Sequence, residues 1–97
     1  MPDISVDVFK ALADPVRLRI LEALPRRNVC ELLCNVSELA VDLKLPQSTV
    51  SRHLAILLKA ELVLKTRACR EVYYRLNTPQ LDAVRRAIAR LGVKPGS

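Results

Sequence analysis

The hydrophobic period of this chain changes once, and the change divides it. Up to about residue 60, apolar residues return every three or four positions. From Leu62 to Leu76 they alternate, and after Thr78 the longer spacing resumes. A period near 3.6 marks amphipathic helices and a period of 2 marks half-buried strands. Ile4, Val8 and Leu12 form the stripe of a first helix that Asp3 or Ser5 can cap. In "ADPVRLRILEAL", Asp14 suits an N-cap, Pro15 suits the first helical position, and Pro25 stops the helix. Val16, Ile20, Leu21 and Leu24 are expected inward, Arg17 and Glu22 outward. Asn28 and Glu31 make a capping box, which predicts a one- to two-turn helix over 29–34. Ser37 is expected to cap "ELAVDLKL", with Leu39 and Leu43 inward. "LPQS" reads as a turn. A helix from Pro46 to about Ala60 then buries Val50, Leu54, Leu57 and Leu58. Leu62–Arg67 and Glu71–Leu76 read as a β-hairpin whose turn, Ala68-Cys69-Arg70, has no glycine. Tyr74, with Val72 and Leu76, is expected to face the core, and Tyr73 to face outward. Thr78 and Pro79 open a last helix with the stripe Leu81, Val84, Ile88 and Leu91, ended by Gly92; residues 92–97 form a frayed tail.

The fold class is mainly α with a small β-hairpin. Two short helices, a tight turn and a two-stranded wing make a winged helix-turn-helix. In such a unit the second helix enters the DNA major groove and reads it with its N-terminal residues. That gives a reason for the polar front of "LPQSTVSRHLAIL". Gln47, Ser48, Thr49, Ser51 and Arg52 have the lengths and donors that base edges and phosphates require. His53, the sole histidine, either touches a phosphate or fixes helix packing. Arg67 and Arg70 flank the wing tip, where a wing meets DNA. The plainer alternative is that Ser48 or Thr49 simply caps the helix.

Charge favours a polyanion. The net charge is +6, but residues 1–43 carry five basic and seven acidic groups. Residues 44–75 carry Lys44, Arg52, Lys59, Lys65, Arg67, Arg70 and Arg75 against Glu61 and Glu71, and so hold most of the positive field. At 97 residues and 51% hydrophobic, the chain reads as one domain, 1–97, with apolar surface to spare for closing a dimer. No apolar run is long enough to cross a bilayer and the acidic N-terminus is unlike a signal peptide, so a cytoplasmic location is expected, with reduced cysteines.

"LADPVRLRILEAL", "ELAVDLKLPQSTVSRHLAIL" and "REVYYRL" together resemble the ArsR/SmtB family of transcriptional repressors, over about Val8 to Leu91. The resemblance implies a homodimer whose first and last helices form the interface, through Ile4, Val8, Leu81, Val84, Ile88 and Leu91. It implies an inverted-repeat operator on double-stranded DNA, bound without any cofactor and released when an inducer binds. It also implies metal sites that this chain lacks. Asn35 and Ser37 stand where many members carry a Cys-x-Cys pair, and the last helix offers Asp82 but no histidine.

The segment before Ser37 is longer than the family pattern and contains Cys30 and Cys34. On a helix these would be i, i+4 neighbours with Cβ atoms about 5–6 Å apart. A disulfide wants roughly 3.5–4.5 Å. A soft ion bridging two thiolates tolerates the wider gap, so arsenite, antimonite or another thiophilic ion is the favoured inducer. A redox or reactive-sulfur response through the same cysteines, a repressor without inducer, and two merely buried cysteines remain the alternatives. Cys69 at the wing tip is expected to be exposed. A small thiol enzyme using Cys34 or Cys69 with His53 is a further reading, but no orienting carboxylate or oxyanion-forming loop supports it.

Overall fold

A computed structural model describes residues 6–25 and 34–91. The elements run α1 (Val6–Leu12), α2 (Pro15–Ala23), α3 (Val36–Leu43), α4 (Gln47–Lys59), β1 (Val63–Ala68), β2 (Glu71–Leu76) and α5 (Thr78–Ala89). Ile4 and Cys30, and all but the last residue of the helix expected over 29–34, lie outside the described residues. That last residue, Cys34, is extended rather than helical. It forms an antiparallel bridge with Tyr74 of β2.

Helix α2 begins as its sequence dictates. Asp14 sits in extended backbone and its carboxylate accepts from the N–H groups of Val16 (2.8 Å) and Arg17 (3.2 Å). Pro15 follows at a position where its missing N–H is not needed. Helix α3 starts earlier than expected. Asn35, not Ser37, is its N-cap: Asn35 Oδ1 accepts from the Glu38 N–H at 2.9 Å, and Glu38 Oε1 accepts from the Asn35 N–H at 3.2 Å. This reciprocal box satisfies donors at both ends of the turn, and Ser37 lies inside the helix. Asn35→Ala should lower stability by about 1 kcal/mol in urea denaturation, the usual effect of losing an N-cap. No change would show that α3 is held by packing alone.

Lys44, in left-handed backbone (φ 57°), turns α3 into α4; its neighbour Leu45 donates to the Ala40 carbonyl at 3.0 Å. Glu61 (φ 61°) makes the corresponding turn after α4, where Leu62 donates to Leu57. Glycine is the usual residue at such positions. The hairpin tip is equally unaided: Cys69 (φ 50°) and Arg70 (φ 69°) form a two-residue turn between the paired Ala68 and Glu71. Two consecutive positive φ values are what a type I′ hairpin turn needs.

One core joins the elements. Ile20, Leu39, Val50, Leu54, Leu57, Leu62 and Val63 are its fully buried side chains. Leu58, Val16 and Tyr74 are half-buried and packed against it. The wing is held on two sides. At its base, Asn77 donates from its backbone to Leu62 (3.0 Å) and from Nδ2 to the Glu61 carbonyl (2.7 Å). Along the outer edge of β2, Leu76 donates to Pro25 and Tyr74 to Cys34, both at 2.8 Å.

Helix α5 is shorter than expected. It ends at Ala89 in a tightened last turn, with Arg90 donating to Ala87 and Leu91 to Ile88, so Leu91 lies beyond the helix. Val8 and Val84 are buried within the chain, which leaves them almost no surface to offer a partner. The open apolar side chains of the first and last helical segments are instead Val6, 67% exposed, Ile88, 48%, and Leu91, 75%.

Candidate nucleic-acid interface

The α3–turn–α4 unit presents the front of α4 to solvent. Gln47, Ser48, Ser51 and Arg52 are exposed, and Thr49 and His53 half-buried, while Val50, Leu54 and Leu57 fix the opposite face in the core. The N-cap of α4 is Pro46, which has no side chain to cap with and makes no side-chain cap bond. Ser48 and Thr49 lie inside the helix, so the capping explanation for the polar cluster does not hold. Gln47 donates from Nε2 to Ser37 Oγ at 3.1 Å and so ties the two helices of the unit together.

Arg67 and Arg70 are exposed beside the turn of the wing, with Lys65 two residues back on the same strand face as Arg67. The wing is also tied to α3. Glu71 accepts from Asn35 Nδ2 at 3.3 Å and from the Tyr73 hydroxyl at 3.1 Å. The hydrogen bond to Glu71 favours the protonated phenol and raises the Tyr73 pKa. The α3–α4 unit and the wing are thereby connected at their bases while Arg52, Arg67 and Arg70 stay exposed.

His53 sits on the flank of α4 that faces α2, and there it meets Arg17, which the sequence pattern expects at the surface. Arg17 is not outward: only 13% of its side chain is exposed. Its Nη1 lies 3.1 Å from His53 Nδ1, its Nε donates to the Ala11 carbonyl at 2.6 Å, and its Nη2 donates to Lys10 at 3.2 Å. The wheel position of Arg17 explains this. At 100° per residue it falls between Leu21 and Leu24, inside the apolar arc of α2. Its aliphatic stem fits there while the guanidinium reaches backbone carbonyls.

Cys34 is buried, and its Sγ donates to the Asn35 carbonyl at 3.9 Å. Burial first, then the nearby charges of Glu38 and Asp42, push its thiol from an ordinary 9.0 up to about 11. Cys69 is exposed at the wing tip. Among the described residues no group of three His, Cys, Asp or Glu side chains could hold a metal ion. Asp82 on α5 is engaged by Arg85, at 2.7 Å, and by Arg86. The Arg85 hydrogen bond holds its carboxyl below the usual range.

Comparison with known proteins places this geometry. The family described as bacterial regulatory protein, arsR family, matches residues 14–65, from the N-cap of α2 into the wing. A transcriptional repressor SmtB homolog of Synechocystis is 44% identical over 70 residues, which is 72% of this chain and 49% of the relative, so the match spans about half of that protein. An ArsR-like transcriptional regulator from Rhodococcus superposes with a TM-score of 0.78 at 30% identity, over 90% of this chain and 75% of the other. The homodimeric winged helix-turn-helix DNA-binding domain of Mb0332 from Mycobacterium bovis gives 0.66 at 29%, over 87% and 76%. With its α3–α4 unit and wing in this arrangement, the chain belongs to the arsR family of regulatory proteins, which are DNA-binding transcriptional regulators and not enzymes.

Proposed function

We propose that this chain is a cytoplasmic, single-domain repressor that binds an inverted-repeat operator as a homodimer and leaves it when a thiophilic inducer binds. The observation that carries the DNA-facing assignment is the start of α4. The solvent-facing side of its first two turns is polar and unused by the helix's own cap. Gln47, Ser48, Thr49, Ser51 and Arg52 address base edges and phosphates, His53 addresses a phosphate, and Arg67 and Arg70 on the wing meet the backbone beside them.

Ser51→Ala and Arg52→Ala test it. Both side chains are exposed, so both variants should fold as the parent does. If Arg52 grips a guanine edge, its loss should cost about 1–3 kcal/mol on an operator selected from a random pool, and should relax the sequence preference there. Parent affinity in both variants would remove α4 from the interface. Binding should also weaken as salt rises, by roughly 0.9 in log affinity per neutralised phosphate for each unit of log salt.

The inducer reading rests on Cys34. A free thiolate at this position is disfavoured by burial and by Glu38 and Asp42. Chemistry that begins with the thiolate as nucleophile, as oxidants and reactive sulfur require, is therefore handicapped. A thiophilic cation meets the opposite field, since the same two carboxylates attract it. Arsenite also fits: each As–OH and S–H exchange for an As–S bond and a water molecule, which leaves no new anion in the site. Cys30 is the second thiol of this proposal. The coupling route is short, because Cys34 immediately precedes the α3 cap and is bridged to β2 of the wing.

A further inference from the structure

Arg17 has more bonds than a structural arginine on a small domain needs, and one of them is unusual. Nε and Nη2 hold the carbonyls of Ala11 and Lys10 at the end of α1, and Asp14 Oδ2 lies 3.9 Å from Nη1. That same Nη1 is 3.1 Å from the imidazole of His53, on the DNA-facing helix. A guanidinium has only N–H donors and no acceptor. A bond to His53 Nδ1 therefore requires a lone pair on Nδ1. The ring proton is then on Nε2, since the bond made by one imidazole nitrogen sets the state of the other.

The two ring nitrogens point away from each other. No described residue partners Nε2. Arg75 Nε is the sole buried polar side-chain atom left without a partner among the described residues, and Nε2 is not one of these. It sits on the α4 flank, next in sequence to the exposed Arg52. The result is a neutral, oriented N–H donor at the margin of the reader, backed by a largely buried cation.

We infer that Arg17 is a positioning residue for DNA binding: it fixes His53 in the Nε2–H tautomer and aims that N–H at a backbone phosphate. The inference rests on the assignment of α4 as the DNA-facing helix. Arg17 does not touch DNA in this scheme; it acts through His53. The contact is to phosphate, so it carries no sequence information and supports every duplex alike.

His53 is the sole histidine, so the imidazole nitrogens of a uniformly ¹⁵N-labelled sample report on it alone. In the free parent protein, the long-range ¹H–¹⁵N spectrum should show a protonated Nε2 and a bare Nδ1. A protonated Nδ1 would overturn the inference with no variant made. Affinity is then measured on a mixed-sequence duplex at low salt, where phosphate contacts dominate. Loss of one hydrogen bond to a charged phosphate should weaken binding about tenfold in His53→Ala. His53→Gln, whose amide N–H reaches the Nε2 position, should restore most of that loss. Arg17→Met should weaken the parent by a similar factor but should hardly affect the His53→Gln protein, which no longer depends on the ring. Equal losses in both backgrounds would mean that Arg17 acts through the fold or directly, and would end the proposal. If Arg17→Met does not fold, the parent spectrum and the two His53 variants still decide. Ser51→Ala and Arg52→Ala separate the two levels: if they lose affinity while His53→Ala does not, the interface stands and only this inference falls.

Discussion

Ile88→Lys should give a folded monomer that binds duplex DNA about 10²–10⁴-fold more weakly than the parent, the scale on which a linked second site raises affinity. In the single chain Ile88 is 48% exposed at the end of α5, one turn beyond the buried Val84. Val6 on α1 and Leu91 after α5 are more open still, at 67% and 75%. Burying one such side chain in full is worth roughly 1.5–3 kcal/mol, and several together make a contact worth closing. A lysine at position 88 suits a half-exposed helix position in the monomer, but it would bring an unpaired charge into the proposed dimer seam. Sedimentation equilibrium and DNA anisotropy report both consequences. A variant that stays dimeric would place the interface elsewhere. Leu81→Lys is the poorer test, because Leu81 packs against the chain's own core and its loss would damage the fold as well.

The elements were legible where local chemistry decides them. The Asp14-Pro15 start of α2, the apolar face of α4 and the change of period into the wing all follow from neighbours in sequence. What stayed hidden is non-local. The Cys34 strand bridge needs Tyr74, and the tie of Glu71 to Asn35 spans 36 residues. The charge of Arg17 points outward while its place on the wheel points inward, and the partner that settles the matter, His53, is also 36 residues away. In α3 the cue was present. Asn35 and Glu38 repeat the Asn-x-x-Glu spacing of Asn28 and Glu31, although Ser37 lies nearer the apolar run and competes as a cap. The turns at Lys44, Glu61 and Cys69-Arg70 carry no glycine, so composition could not announce their positive φ values. The polar residues at the front of α4 are plain in the sequence, but their freedom from capping is not. Proline suits both the cap and the first helical position, and here Pro46 is the cap.

At neutral pH, iodoacetamide should alkylate Cys34 at least about a hundredfold more slowly than an ordinary free thiol, and its rate should rise roughly tenfold per pH unit until about pH 11. The thiolate is the nucleophile. Raising the thiol from 9.0 to about 11 leaves about one hundredth of the usual thiolate at neutral pH, and burial slows attack further. Cys69, exposed at the wing tip, serves as the internal standard, read by mass spectrometry of the peptides. Fast labelling of Cys34 would show that its bridge to Tyr74 opens readily. The same environment sets the inducer test. Peroxide should leave the protein–operator complex intact over times in which arsenite dissolves it, because arsenite exchanges its hydroxides for thiols without leaving a free thiolate. Cys30→Ser and Cys34→Ser should each bind DNA like the parent and remain bound in arsenite. Cys69→Ser should still release. Drawing Cys34 toward a bound arsenic would pull on the Asn35 cap and on the Tyr74 bridge together, so reader and wing would shift as one. A bias of about 1.4 kcal/mol toward the shifted form is enough to weaken the operator complex tenfold. Normal release by the Cys30/Cys34 double variant would reduce both cysteines to buried filler and remove them from the switch.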